Sequence, residues 1–379
     1  MSFSPALRFP GFTEPWQRTI LDGIVTFEKK RIRNCDLCLT EYVSTDNMLS
    51  DFRGVRIANH ISETGTSTSF IKGDILVSNI RPYLNKIWYA TFDGGCSPDV
   101  FVYRAKKNLI TSPFLYNILA NNAFITYVMN GAKGVKMPRG DKEQMMKYPC
   151  SIPSLQEQDK ISSLIRLLDE RIETQRRLIE DLEKLKSSII DRCYHGNDNI
   201  RIGEFISQVS QRNRSNRSYK VMSVSNVRGF VPQAEQFADR EIASENTTSY
   251  KIVTKDIFAY NPARINIGSI ARFKANDKGI VSPMYVCFKV EGKLQPKYLE
   301  YFFQTQRFKN EVELRLEGSV RLCLNFDALC EIKIPKLSPA EQIVISSTIE
   351  TLDNKIALEQ KVLSNMDKQR KYLLSSLFI

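Results

Sequence analysis

Two stretches of this chain decide its fold: residues 152–169, IPSLQEQDKISSLIRLLD, and residues 334–353, IPKLSPAEQIVISSTIETLD. Both begin with Ile-Pro-x-Leu, continue through Glu-Gln, and reach Leu-Asp inside a periodic apolar segment. The offset is 182 residues at Ile-Pro-x-Leu and 184 at Glu-Gln and Leu-Asp, so one two-residue insertion separates the matches. Recurrence at a fixed spacing indicates an internal repeat.

The regions before these stretches repeat as well. GDILVSN at 73–79 returns as KDIFAYN at 255–261, and Tyr116 matches Tyr298, all at offset 182. Two copies of about 182 residues therefore account for nearly the whole chain. Each copy begins with a turn-rich region whose short apolar runs, such as 75–80 and 286–290, predict strands. A helix of about 40 residues follows in each copy.

Both helices carry an apolar stripe with alternating steps of four and three residues. Seven of nine positions in each stripe are apolar, and the polar exceptions fall at the same slots. This 3.5-residue period predicts a coiled-coil seam, and an amphipathic helix lying on a domain is the alternative. The first seam is predicted at Ile161, Ile165, Leu168, Ile172, Gln175, Ile179, Leu182, Lys186 and Ile189, and the second at Ile345, Ile349, Leu352, Ile356, Glu359, Leu363, Met366, Arg370 and Leu373.

We expect the two helices, each about 55–60 Å long, to pair in antiparallel orientation. Such pairing would relate the copies by an approximate two-fold axis and would bring Gln175 and Glu359 together near it. A polar residue in a seam fixes register at some cost in stability. Replacing both residues with Leu should therefore raise the melting temperature.

The predicted fold class is α+β: two similar globular domains separated by two long helices that form an antiparallel coiled coil. The globular domains are residues 1–154 and 195–337, and the helical spacers are residues 155–194 and 338–379. The net charge of +12 divides into +6, −1, +7 and 0 for residues 1–154, 155–194, 195–337 and 338–379. Excess positive charge confined to both globular domains is typical of two polyanion-binding modules.

Lys and Arg side chains of both globular domains are the candidate DNA contacts, as a group rather than individually, because a solvated surface charge explains any one of them equally well. In the first domain they are Arg81, Lys86, Lys133, Lys136 and Arg139, and in the second Arg212, Arg214, Arg217, Arg264, Arg272, Lys274, Arg315 and Arg321. Lys133, Lys136 and Arg139 lie in a glycine-containing loop from Gly131 to Gly140.

Catalytic and metal-binding patterns are missing from the sequence. The eight cysteines include one C-x-x-C, at Cys35 and Cys38, without a second pair, and the only histidines are His60 and His195. We therefore predict neither a metal site nor a catalytic centre. Asn-Pro-Ala-Arg at 261–264 is similar to the Asn-Pro-Pro-aromatic motif of amino-methylating DNA methyltransferases, but Arg264 occupies the aromatic position and no Gly-rich cofactor loop precedes it.

The motifs together resemble the specificity subunits of type I restriction–modification systems. The resemblance rests on the repeated Ile-Pro-x-Leu…Glu-Gln segments, on DILVSNIRPYLNK at 74–86, on YNPARINIG at 260–268, and on PALRFPGF at 5–12 with Trp16. It implies a non-catalytic protein whose two target-recognition domains each recognise one half of a bipartite, asymmetric double-stranded DNA site. It also implies that the helices set the gap between the halves and dock two methyltransferase subunits, which motor–nuclease subunits join. S-adenosylmethionine, ATP and magnesium would belong to those partners, and no cofactor to this chain.

Three other functions stay open at this point. They are a stand-alone DNA-binding scaffold, a methyltransferase or nuclease in its own right, and a coiled-coil structural protein, which the concentrated positive charge disfavours. No run of about 18 apolar residues predicts a membrane span, and residues 1–17 do not have the pattern of a secretion signal. We therefore expect a cytoplasmic protein.

Overall fold

A computed structural model describes residues 5–134, 136–196, 198–236, 246–318 and 322–378 of the chain. It forms two compact units. Unit 1 comprises Met1–Arg176 and Lys361–Ile379, and unit 2 comprises Arg177–Gln360. Each unit thus contains half of each long helix, whereas the segments predicted from the repeat kept both helices whole.

Unit 1 contains ten strands and five helices among the described residues. The strands are β1 (Gln17–Ile20), β2 (Val25–Phe27), β3 (Arg31–Arg33), β4 (Tyr42–Val43), β5 (Thr66–Phe70), β6 (Ile75–Ser78), β7 (Ile87–Tyr89), β8 (Gly94–Cys96), β9 (Val100–Ala105) and β10 (Pro149–Ile152). The helices are α1 (Leu21–Ile24), α2 (Ser112–Leu119), α3 (Asn122–Asn130), α4 (Lys142–Met146) and the first part of α5 (Leu155–Cys193), with 3-10 turns at Asn34–Asp36 and Pro82–Leu84. The end of α10, introduced below, also belongs to this unit.

Three sheets organise unit 1. One four-stranded sheet has the order β2-β9-β6-β7 and is antiparallel throughout, and the other has the order β3-β5-β8-β4 with β4 and β8 parallel. The strands β1 and β10 pair separately, which places the early segment of the chain beside the start of α5. Buried apolar side chains from α2, α3 and the first sheet form the main core, and Phe114 and Tyr103 are fully buried there.

Unit 2 repeats most of this order of elements. Its strands are β11 (Asn199–Arg201), β12 (Ile206–Val209), β13 (Lys220–Ser225), β14 (Gly229–Pro232), β15 (Lys251–Val253), β16 (Phe258–Tyr260), β17 (Ile270–Arg272), β18 (Gly279–Val281), β19 (Val286–Val290) and β20 (Lys333–Pro335). Its helices are α6 (Gln233–Gln236), α7 (Pro296–Phe302), α8 (Gln306–Glu313), α9 (Phe326–Cys330) and the first part of α10 (Pro339–Leu377), with 3-10 turns at Ile202–Glu204 and Ile265–Ile267.

The sheets of unit 2 correspond to those of unit 1. Their orders are β12-β19-β16-β17, β14-β13-β18-β15 and β11-β20. The parallel pair β13–β18 takes the place of β4–β8. The predicted fold class, a mixed α and β chain with an internal repeat and two long paired helices, is confirmed.

A buried glutamine explains the repeated Glu-Gln motif. In unit 1, Gln158 Oε1 accepts a hydrogen bond from the backbone N–H of Thr111 at 2.8 Å, and its Nε2 donates to the carbonyls of Leu109 and Pro153. In unit 2, Gln342 accepts from the N–H of Gln295 at 2.8 Å and donates to carbonyls before α7 and α10. Each amide therefore joins the start of a long helix to the start of α2 or α7.

The helix halves within each unit run antiparallel. In unit 1, Arg370 contacts Asp169 and Arg176 contacts Asp367. The residue number on α10 therefore falls as the residue number on α5 rises. In unit 2, Lys186 Nζ lies 2.6 Å from Asp353 Oδ1. The Leu-Asp motif thus supplies the carboxylate of an ion pair in each unit, and each partner is a polar seam position.

Among the described residues, no helix is long and apolar enough to cross a membrane. Among these described residues, no three or more His, Cys, Asp or Glu side chains lie close enough together to hold a metal ion. All eight cysteines are free thiols.

Candidate nucleic-acid interface

The 3-10 turn after β6 presents polar and aromatic groups to solvent. Arg81 precedes it with φ 51° and Asn85 ends it with φ 54°, both in the left-handed region that non-glycine residues rarely adopt. The Tyr83 side chain is 49% exposed. Pro82 fixes the first position of the turn and is buried.

A second loop holds this turn in place. Lys133 and Arg139 exchange backbone hydrogen bonds of 2.9 and 3.0 Å, which closes the predicted glycine loop into a hairpin. The N–H of Arg81 donates to the carbonyl of Pro138 at 2.8 Å, and the N–H of Gly140 donates to the carbonyl of Asn79 at 3.1 Å. The structure therefore brings four predicted contacts onto one part of unit 1: Arg81, Lys133, Lys136 and Arg139.

These cations differ in whether an acidic side chain pairs with them. Lys133 pairs with Asp141 at 2.9 Å, and Arg139 lies 3.6 Å from Asp99. In the described part of the chain, no carboxylate pairs with Arg81 or Lys136, and both residues are exposed. Lys86 is half-buried and donates to the carbonyl of Thr45 at 2.5 Å, so its ammonium is partly engaged.

Unit 2 has the equivalent pair of loops. Its 3-10 turn at Ile265–Ile267 follows exposed Arg264, and the N–H of Leu324 donates to the carbonyl of Pro262 at 3.0 Å. Glu317 and Cys323 exchange backbone hydrogen bonds, as Lys133 and Arg139 do in unit 1. Arg315, which precedes that loop, pairs with Glu311 at 2.7 Å. Arg321 lies outside the described residues.

Arg272 is held in ion pairs within unit 2, and Lys274 shares one of their acidic partners while staying exposed. The Arg272 guanidinium is 13% exposed and pairs with Asp256 at 2.7 Å and with Glu300 at 2.8 Å. Burial lowers the pKa of Arg272, but these carboxylates outweigh it and raise the pKa overall. Lys274 also pairs with Glu300. Arg272 therefore stabilises unit 2 instead of being placed for a DNA contact.

The basic loop after β12 surrounds one buried amide. Asn213 Nδ2 donates to the carbonyl of Arg217 at 2.9 Å, and its Oδ1 accepts from the N–H of the same residue at 3.1 Å. The three predicted contacts, Arg212, Arg214 and Arg217, are all exposed around this amide. The structure therefore places these three arginines in one loop.

Asn261, the first residue of the methyltransferase-like motif, is buried, and its Oδ1 accepts a hydrogen bond from the N–H of Ala263 at 3.1 Å. This bond stabilises the turn before the 3-10 segment. The residue thus has a local structural role.

Sequence reasoning missed two arginines beside these turns. Arg53 lies in Asp-Phe-Arg-Gly at 51–54, and Arg228 lies in Asn-Val-Arg-Gly at 226–229. Their offset of 175 differs from the 182 of the main repeat, and that second offset is the signal that could have found them. Both side chains are exposed.

The predicted seam residues line the paired helix halves. None of the eighteen positions is exposed, and Ile165 and Ile349 are fully buried in the cores of units 1 and 2. Leu167, Leu178, Leu185 and Leu358, which lie off the seam, are 41–57% exposed.

Residues 14–184 match the family model described as the type I restriction modification DNA specificity domain. The chain carries a type I DNA specificity domain. The resemblance found in the sequence motifs, to the specificity subunits of type I restriction–modification systems, is confirmed.

Two curated relatives are also specificity subunits. That of the Escherichia coli type I restriction enzyme EcoDI is 28% identical over 137 residues, which cover 35% of this chain and 30% of that protein. That of the Haemophilus influenzae enzyme HindI is 24% identical over 167 residues, which cover 42% and 36%. The matched segments thus span about a third of the length of each relative.

Solved structures match over the full length. A chain from a study of complex assembly and conformational transition in a type I restriction–modification system has 17% identity and a TM-score of 0.60, and 98% of both chains is covered. The S subunit of a type I system from M. genitalium has 16% identity and a TM-score of 0.57, with 100% of this chain and 99% of that chain covered. At these identities the likeness shows the fold.

Proposed function

We propose that this chain is the non-catalytic DNA-recognition subunit of a type I restriction–modification enzyme, and that it recognises a bipartite, asymmetric site with one half per unit. The observation that carries the proposal is the recurrence, in both units of a type I specificity fold, of a 3-10 turn that follows an exposed arginine without an acidic partner among the described residues. Arg81 and Arg264 are these arginines.

The charge distribution supports a duplex DNA ligand. The segments 1–154 and 195–337 carry +6 and +7, while the helical segments are nearly neutral. Contacts to phosphates would position each unit on the duplex, and contacts to base edges would distinguish sequences. Six of the predicted contacts are exposed and have no acidic partner among the described residues: Arg81, Lys136, Arg212, Arg214, Arg217 and Arg264.

The helices are proposed to dock two methyltransferase subunits, and through them motor–nuclease subunits. Exposed leucines on the helices support this, because apolar side chains outside the seam offer contact area to a partner. Leu167 in unit 1 is 57% exposed, and Leu185 and Leu358 in unit 2 are 49% and 55% exposed. S-adenosylmethionine, ATP and magnesium would bind those partners, and adenine methylation and restriction would occur there. The helices would also set the gap between the two halves of the DNA site.

A subunit with this role acts where the chromosome is, so we place it in the cytoplasm. A stand-alone DNA-binding scaffold is the alternative, and copurification of a methyltransferase subunit with the tagged chain would exclude it. A methyltransferase acting alone is a weaker alternative, which clear binding of labelled S-adenosylmethionine to the isolated chain would favour.

The decisive experiment is selection from a pool of random DNA duplexes with the full chain, together with any subunits that copurify with it. We expect the retained duplexes to share two short, different sequences separated by a fixed number of unspecified base pairs. A single contiguous motif, or no motif, would contradict the proposal.

A further inference from the structure

We infer that Arg53 and Arg228 recognise bases, one in each half of the DNA site, and that each acts together with the arginine of the neighbouring 3-10 turn. The partner is Arg81 in unit 1 and Arg264 in unit 2. This inference rests on the proposed function and adds specificity-determining residues to it.

The two arginines occupy equivalent places in the fold. Each lies in a hairpin that follows one of the equivalent strands β4 and β13, which pair in parallel with β8 and β18. Met48 pairs with Val55 across the first hairpin, and Ser225 pairs with Gly229 across the second. Each arginine precedes a glycine in the left-handed region, with φ 86° at Gly54 and 65° at Gly229. The two units therefore present an Arg-Gly pair at equivalent places, in hairpins of different length.

In unit 1 the Arg-Gly turn is hydrogen-bonded to the 3-10 turn. The N–H of Asp51 donates to the carbonyl of Leu84 at 3.0 Å, and the N–H of Phe52 donates to the carbonyl of Asn85 at 3.1 Å. Asn85 Nδ2 also donates to Asp51 Oδ1 at 3.2 Å. The half-buried Phe52 ring packs against the core of the unit, beneath the guanidinium of Arg370. Arg53 and Arg81 thus extend from two turns that cannot move independently.

Unit 2 achieves the same proximity by close packing. Gly268, at the end of the 3-10 turn, lies against Asn226, and a Cβ at that glycine would be 3.5 Å from the Asn226 carbonyl oxygen. Ser269 Oγ donates to the carbonyl of Val224 at 3.0 Å. The hairpin that carries Arg228 is therefore fixed beside the turn that follows Arg264.

Backbone strain is concentrated in the two turns of unit 1. Of the six non-glycine residues with positive φ in the described part of the chain, four lie there: Asp51, Phe52, Arg81 and Asn85. Left-handed backbone at such residues costs free energy and persists where surrounding contacts enforce it. The turns are therefore held in one conformation, as recognition of individual bases requires.

The guanidinium groups are available for a ligand. Arg53 Nε donates to the carbonyl of Ser50 at 3.0 Å, and no described carboxylate lies within ion-pair distance of Arg53. Arg228 lies 3.9 Å from Glu235, and both side chains are more than half exposed. The planar fork of donors on arginine matches the O6 and N7 acceptors of guanine in the major groove. The same fork also fits a phosphate, so a change in base preference, and not in affinity alone, is what identifies a base contact.

The test is duplex selection with the full chain carrying Arg53→Ala, Arg53→Lys, Arg228→Ala or, as a control for loss of one charge, Lys107→Ala. Lys107 is exposed and lies outside both the Arg-Gly turn and the 3-10 turn of unit 1. We expect Arg53→Ala to reduce preference at one or two positions in one half-site by about 5- to 100-fold. Arg228→Ala should do the same in the other half, and Lys107→Ala should leave the motif unchanged.

Arg53→Lys separates base recognition from charge. We expect it to weaken the base preference while keeping the salt dependence of the wild-type chain, because lysine retains the charge but not the rigid fork of donors. If Arg53→Ala weakens binding to all sequences equally and lowers the salt slope by about one, the residue contacts phosphate and the inference is wrong. An unchanged motif in both Ala variants would also overturn it.

A wild-type chain that selects no bipartite motif would instead overturn the proposed function, and this inference with it. Circular dichroism and the melting temperature confirm that each variant is folded.

Discussion

Arg370 on α10 forms a bidentate ion pair with Asp169 on α5, with Nε 2.5 Å from Oδ1 and Nη2 3.2 Å from Oδ2. The Arg370 side chain is 14% exposed and that of Asp169 is 33% exposed. Lys186 and Asp353 form the matching pair in unit 2, where Tyr301 also donates to Asp353.

Replacement of Asp169 with Asn should lower the free energy of unfolding by about 1–2 kcal/mol, because the mostly buried Arg370 loses its counter-ion. The double variant Asp169→Arg with Arg370→Asp should recover part of that loss. Urea unfolding followed by circular dichroism measures both, and Arg166→Ala, at an exposed pair with Glu170, is the control. A loss as small as that of the control would show that the seam pair does not stabilise the chain.

Arg272 and Arg264 should respond in opposite ways to replacement with Ala. The Arg272 variant removes the two charged hydrogen bonds that Arg272 makes to Asp256 and to Glu300, which is only 16% exposed, so we expect a loss of about 2–3 kcal/mol in unfolding free energy. The Arg264 variant removes an exposed charge and should leave stability within about 0.5 kcal/mol of wild type while weakening DNA binding. Thermal unfolding and a duplex-binding titration check the pair. Equal stability of the two variants would contradict the ion-pair role.

DNA affinity should fall steeply as salt rises, because several phosphates are neutralised at once and their counter-ions are released. Lys136→Ala should reduce the slope of log affinity against log salt by about one, since this exposed lysine has no acidic partner among the described residues. Fluorescence anisotropy between about 50 and 200 mM salt measures the slope. A nearly flat dependence would argue against duplex DNA as the ligand.

Thiol labelling should divide the cysteines by burial. Burial raises the pKa of Cys96 and Cys150 to about 12 and that of Cys287 to about 11. At pH 8 their reactive thiolate fraction is then about one in a thousand or less. We expect iodoacetamide to modify exposed Cys35 and Cys38 in the native chain and to spare the other three until urea is added. Mass spectrometry identifies the sites, and rapid native labelling of Cys96 would show that its strand opens easily.

The sequence predicted the long helices well, because a 3.5-residue period sustained over nine seam positions is typical of long helices that pack against each other. It did not reveal why Asp169 and Asp353 recur, since their partners lie on the other long helix. The predicted meeting of Gln175, in unit 1, with Glu359, in unit 2, stays a prediction, as does the rise in melting temperature on replacing both with Leu.

The candidate site was harder to predict than the fold. Arg272 looked like a surface charge because Glu300 is 28 positions away, and local sequence does not show that the two side chains meet. Arg53 and Arg228 were missed because the connections before and after them differ in length, which shifts their offset from 182 to 175. Side-chain pairing and loop insertions depend on tertiary contacts that periodicity does not report.

The buried amides of Gln158 and Gln342 have a mechanical consequence. Because each amide both accepts and donates, to groups on two sides, it fixes the rotation of its helix about the helix axis. The direction in which a leucine such as Leu167 or Leu358 faces is therefore set from within the unit that holds its helix half. A change that turned α2 or α7 would turn the start of the adjoining long helix with it, so the packing of each globular fold sets the outward face of its own helix half.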